Sequence, residues 1–145
     1  MQWKEEAIEK LKNYKAMQIA LKNIPEQICM LEHSAASLRS ASAPRVGGSG
    51  SIRGREDALI SNLAERQELE WRLARVQQWM AVIHRGFDAL TPEEIIILQK
   101  MYLFPERGAV DRLCSDLGVE QATVYRKRDK ALHRFTVAMY GFPET

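Results

Sequence analysis

The chain has 145 residues, 46% of them apolar and 28% charged, with a formal net charge of +2. Such a length accommodates one ordinary domain, or a small domain with an extended helical element, and excludes two full-sized enzymatic domains; the composition excludes disordered and collagenous chains. Trp3, Lys4, Glu5 and Glu6 interrupt any apolar leader, apolar runs such as Ile95 to Leu98 are far too short to span a bilayer, and the only cysteines are Cys29 and Cys114, so a cytoplasmic protein with reduced thiols and no membrane partner is expected.

From Trp3 to Leu38 apolar residues recur at helical spacing: Ala7, Leu11 and Tyr14, then Ile24, Ile28, Leu31, Ala35 and Leu38. The second set steps by four and three, as in a coiled-coil seam. Pro25 lacks an amide proton, so two helical pieces are expected, with a break near Asn23 or a kink. Arg39 to Glu56 is rich in Ser, Gly and Ala without periodicity and is expected to be a flexible loop. Its four arginines, Arg39, Arg45, Arg53 and Arg55, either solubilise it or reach DNA or a partner. A third helix is expected from Asp57 to Phe87, where Leu69, Leu73, Val76, Met80, Ile83 and Phe87 step by four and three and Leu59 and Leu63 extend the stripe backwards. Residues 1–87, with the loop at 39–56, thus read as an antiparallel, coiled-coil-like helical hairpin. Its stripes offer more apolar edge than one protomer covers, which predicts a homodimer held between Trp3 and Phe87.

Residues 88–145 read as a helix-turn-helix domain, making the whole chain all-α. Thr91 before Pro92, with Glu93 and Glu94 in the first turn, is a strong helix start. That helix carries Ile95, Ile97, Leu98, Met101 and Tyr102 and is ended by Pro105 and Gly108. A short helix with Val110, Leu113, Cys114 and Leu117 on one side leads to Gly118, placed where the turn needs positive φ. A second helix opens near Glu120 and buries Val124, Ala131, Leu132 and Phe135, with the small Cys114 at the crossing. Between Thr123 and Arg134 five basic residues (Arg126, Lys127, Arg128, Lys130, Arg134) oppose one acid, Asp129, a local +4 on an otherwise −2 chain. A basic helix on a near-neutral body is the charge layout of a nucleic-acid binder. In this geometry the start of the second helix enters the major groove of double-stranded DNA. Gln121, Ala122, Tyr125 and Arg126 point outward for base readout, while Thr123, Lys127 and Lys130 sit where phosphates would lie.

The runs LTPEEIIILQKMY and VDRLCSDLGVEQATVYRKRDKAL, spanning Leu90 to Phe135, closely resemble region 4 of bacterial sigma factors, which reads a promoter element and touches core RNA polymerase. The connector Leu103 to Ala109 is longer and richer in Pro and Gly than that family's. A sigma factor itself is not expected, because its other domains have no room here. The lysine- and glutamate-rich helical N-terminus, the Ser/Gly loop, the long helix and the terminal helix-turn-helix together resemble the ArpU/RinA group of phage late-gene transcriptional regulators. That resemblance implies a transcriptional regulator that activates phage or prophage late genes from a promoter or operator, with RNA polymerase as a second partner. A phage terminase small subunit is the alternative; a ring of many subunits would mark it, a dimer the regulator. No enzyme is expected: there is no Gly-rich phosphate loop or two-metal acidic cluster, and His33, His84 and His133 are scattered. Cys29 and His33 share a helix face but lack further ligands, so neither a metal nor a cofactor is expected. Trp3, Trp71 and Trp79 are assigned to packing or an interface.

Overall fold

The structure, a computed structural model, describes residues 2–40 and 49–142, and only the backbone at 49–51. The described residues form α1 (Trp3–Lys12), α2 (Tyr14–Ser40), α3 (Ser49–Phe87), α4 (Pro92–Leu98), a π-helical turn (Gln99–Leu103), α5 (Ala109–Leu117) and α6 (Gln121–Tyr140), with no strand among them. The expected all-α class is therefore what the chain adopts, and no helix is long and apolar enough to cross a membrane among the described residues.

Two boundaries differ from expectation. The interruption of the first helical stretch falls at Asn13, not near Asn23, and Pro25 lies inside α2. At Asn13 the ladder barely breaks: its amide donates to the Glu9 carbonyl at 3.0 Å and its carbonyl accepts from the Met17 amide at 2.9 Å. Pro25 occupies an exposed position, where water can reach the carbonyl four residues back that loses its amide partner. The C-terminal part of the expected loop is helical, since α3 already begins at Ser49. Gly50 and Gly54 each disfavour helix by roughly 1 kcal/mol, but a long helix already nucleated downstream propagates backwards through them. The centre of that loop, 41–48, lies outside the described residues.

The chain divides into two compact units, residues 1–18 with 78–145 and residues 19–77, so the expected boundary between 87 and 88 is not where the contacts divide. The reason is apolar: α1 and the end of α3 bury their faces against the last helices. In the first unit Ala7, Leu11 and Ile83 are fully buried, together with Leu98, Leu132 and Phe135. Trp3 packs on Tyr140 and Phe142 with ring centroids 5.0 and 5.8 Å apart, and Phe87 stacks on Phe135 at 5.4 Å. Tyr14 lies edge-on to Phe104 at 6.0 Å, and its hydroxyl shares a 3.2 Å hydrogen bond with His84 Nε2. Gly86 permits the approach of Phe135, because a Cβ there would stand 2.7 Å from the ring.

In the second unit α2 and α3 lie side by side around a thin core that includes Ile24, Ala35 and Asn62. Asn62 Nδ2 donates to the Leu31 carbonyl at 2.8 Å, while its Oδ1 accepts from Arg66 Nε at 2.8 Å. Beside this contact runs an open groove of about 470 Å³ bordered by Met30, Leu31, Glu65 and Leu69.

Candidate nucleic-acid interface

The start of α4 is fixed by a reciprocal capping box. Thr91 Oγ1 accepts from the Glu94 amide at 3.2 Å, and Glu94 Oε1 accepts from the Thr91 amide at 3.0 Å, with Pro92 at the first helical position. The helix then loosens into the π-helical turn, where the Phe104 amide donates to the Gln99 carbonyl at 2.9 Å, five residues back. Burial raises the pKa of Tyr102 in this turn above its ordinary value of 10.0; Arg128 opposes the shift and Asp129 adds to it.

Three helices close on one small core. Ile97 from α4, Leu113 from α5 and Val124 from α6 are each fully buried, and Met101, Val110, Cys114, Leu117 and Val119 pack around them. Cys114 thus sits among the residues where α5 meets α6, as its size suggested. Gly118 ends α5 with φ +64, and the Val119 amide closes back onto the Cys114 carbonyl at 3.2 Å. This left-handed C-terminal closure turns the chain abruptly into the next helix. Glu120 is extended and its carbonyl accepts from the Thr123 and Val124 amides at 3.0 and 3.1 Å, which opens α6.

Along α6 the buried side consists of Val124, Ala131, Leu132, Phe135 and Thr136. Gln121, Ala122, Arg126 and Lys130 are exposed. Thr123, Tyr125 and Lys127 are half-buried. Arg126 Nη2 donates to Thr123 Oγ1 at 3.3 Å, holding the guanidinium beside the first turn. Arg128 lies 4.9 Å from the Tyr125 ring centroid and donates to Asp129 at 2.8 Å.

The basic helix is less free than its composition suggested. Lys127 is ion-paired with Glu93, and Arg134 Nη1 donates to Glu94 Oε1 at 2.9 Å, so the acids at the start of α4 face the cations of α6. The other Glu94 oxygen is buried without a hydrogen-bond partner. These groups, with Thr91 and Lys130, border a shallow groove of about 330 Å³. Glu93 and Glu94 were legible as helix-start acids, but not as partners of residues 34 and 40 positions away. Arg126 and Lys130 are the two cations on this face that are exposed and hold no ion pair among the described residues. The arrangement offers an amide, a guanidinium and an ammonium on one helix, chemistry suited to base edges and phosphates. Among the described residues no three metal-ligating side chains cluster.

No protein-family model, curated protein or solved structure matches the chain.

Proposed function

We propose that the chain is a sequence-specific DNA-binding transcriptional regulator that reads double-stranded promoter or operator DNA with the N-terminal half of α6. The reading is carried by one observation: α5, the left-handed turn at Gly118 and α6 share a dry core of Ile97, Leu113 and Val124, while Gln121, Ala122 and Arg126 remain exposed at the start of α6. A helix held from behind with an amide and a guanidinium in front is the geometry of a recognition helix. Gln121 suits adenine and Arg126 guanine, Ala122 suits a thymine methyl, and Tyr125 lies between them. Thr123, Lys127 and Lys130 serve the backbone. The resemblance of Leu90 to Phe135 to sigma region 4 supports the same assignment and a contact with RNA polymerase, and the resemblance of the whole layout to the ArpU/RinA group supports a role in activating phage or prophage late genes. Dimerisation is assigned to the helices between Trp3 and Phe87, and within that span to α2 and α3 of residues 19–77, because α1 and the end of α3 are buried in the unit that contains α4 to α6.

Genome-wide capture of bound DNA identifies the target. On that duplex Gln121→Ala and Arg126→Ala each lose about 1–3 kcal/mol of binding while affinity for scrambled DNA barely changes. Uniform loss on both duplexes would remove the readout assignment, and enrichment at a packaging site would favour the terminase reading.

A further inference from the structure

Within residues 19–77, α3 carries an apolar stripe that stands exposed among the described residues. Ile60, Leu63 and Trp71 are 67%, 47% and 62% exposed. Gln67 and Ala74 are exposed on the same line. At about 100° per residue these five positions fall within an arc of roughly 80°, and its centre lies about 140° around the helix from Asn62, which faces α2. The stripe is therefore separate from the seam by which α2 and α3 pack. Single exposed apolar residues are ordinary, but three large ones on one line make a patch on the order of 400 Å², a size that commonly marks a contact site.

We infer that this stripe pairs two copies of the chain antiparallel, about a two-fold axis passing by Gln67. The inference sharpens the dimer reading above and rests on it, but it does not depend on DNA binding. Its basis is the spacing. Ile60, Leu63, Trp71 and Ala74 lie seven before, four before, four after and seven after Gln67. A two-fold axis there sets Leu63 against the partner's Trp71 and Ile60 against the partner's Ala74, so that neither the two indoles nor the two alanines face each other. The one polar pair is Gln67 with its own mate, two amides that each donate and accept. A parallel pair would instead stack Trp71 on Trp71 and Ala74 on Ala74, leaving one layer overfilled and another hollow. Charge agrees with the antiparallel choice: Asp57 and Arg75 lie on the same edge of the stripe, and the axis brings Asp57 within an axial offset of about 3 Å of the partner's Arg75, twice over, while Glu68, which meets its own mate on that edge, is already paired with Arg72 at 2.7 Å. Gln67 and its neighbours on the stripe form the centre, and the charged edges supply the rim that brings such a patch towards the roughly 800 Å² per partner of a standard interface.

The test uses the full chain with Cys29→Ser, retaining Cys114 as the background control, and a short bis-maleimide. Gln67→Cys should cross-link to itself in high yield. Ile60→Cys alone and Ala74→Cys alone should not, because each lies about 21 Å from its own mate, whereas a mixture of the two should give the cross-linked heterodimer. Self-linking of Ile60→Cys would overturn the antiparallel arrangement. In light scattering the parent chain should be a dimer, and the double variant Leu63→Lys, Trp71→Lys a monomer with unchanged helical circular dichroism. A monomeric parent would overturn the dimer reading itself. A double variant that stays dimeric would overturn only the location of the contact, and a ring of many copies would overturn the two-fold.

Discussion

Tyr140 carries a hydroxyl that is buried with no hydrogen-bond partner, and burial raises its pKa above the ordinary 10.0, reinforced by the carboxylates of Glu6 and Glu9. The folded chain thus favours the neutral phenol. Above pH of about 10 the unfolded chain loses this proton first, so the folded state binds more protons and stability falls as pH rises further. Below that value the contribution is fully present. Tyr140→Phe keeps the packing on Trp3 and removes an unsatisfied group, whose burial costs on the order of 1–3 kcal/mol. Its melting temperature at pH 7 should equal or exceed the parent's, and its decline between about pH 9.5 and 11 should be shallower. Thermal melts by circular dichroism at stepped pH decide this; an undiminished decline would assign the alkaline sensitivity to Tyr102, whose pKa is raised in the same direction.

Two glycines set opposite tests for the helices that carry them. Gly118→Ala puts a Cβ at φ +64, which costs roughly 1–2 kcal/mol. Gly86→Ala should gain about 1 kcal/mol of helix propensity but must displace the Phe135 ring, which is fully buried and stacked on Phe87. Overpacking of that kind costs about 1–3 kcal/mol, so net destabilisation near 1 kcal/mol is expected. Urea titration measures both, and a stabilised Gly86→Ala would mean that the ring yields easily. The sequence announced Gly118, and likewise the Thr91-Pro92 start and the buried side of α6, because each is a local signal. The π-helical turn was not legible: a bond reaching five residues back leaves no mark in composition or period. Nor was the continuity through Pro25, which depends on that residue facing water. The chemical types at the candidate interface were readable from α6, whereas the pairing of Lys127 and Arg134 depends on Glu93 and Glu94 of another helix.

At the scale of the molecule, the hydrophobic period identified the inner face of α1 but not what it meets. Ala7 and Leu11 read as the opening of a hairpin, yet they are buried in the unit that also contains α4, α5 and α6. Periodicity says which side of a helix is dry and is silent about the partner. Leu11→Ala should therefore cost about 2–5 kcal/mol and lower the stability of the very unit that carries the candidate interface. The fragment 88–145, lacking α1 and the end of α3, should be less helical and melt lower than the full chain. Circular dichroism of the two would check it, and a fragment as stable as the parent would restore the boundary at 87/88.

Glu93 and Glu94 give α6 counterions of its own, covalently built in. On the proposed reading, a phosphate that takes Lys127 from Glu93 displaces a tethered carboxylate, not a dissolved cation's partner from solution, and the freed carboxylate must then be neutralised by salt. The helix should accordingly release fewer ions on binding than its five basic residues imply. Lys130→Ala should lower the slope of log K against log salt by about one, Lys127→Ala by distinctly less, and Glu93→Gln should steepen it while tightening binding. Affinities measured at several salt concentrations separate the three variants. Equal slopes for Lys127→Ala and Lys130→Ala would mean that Glu93 lets go before the DNA arrives.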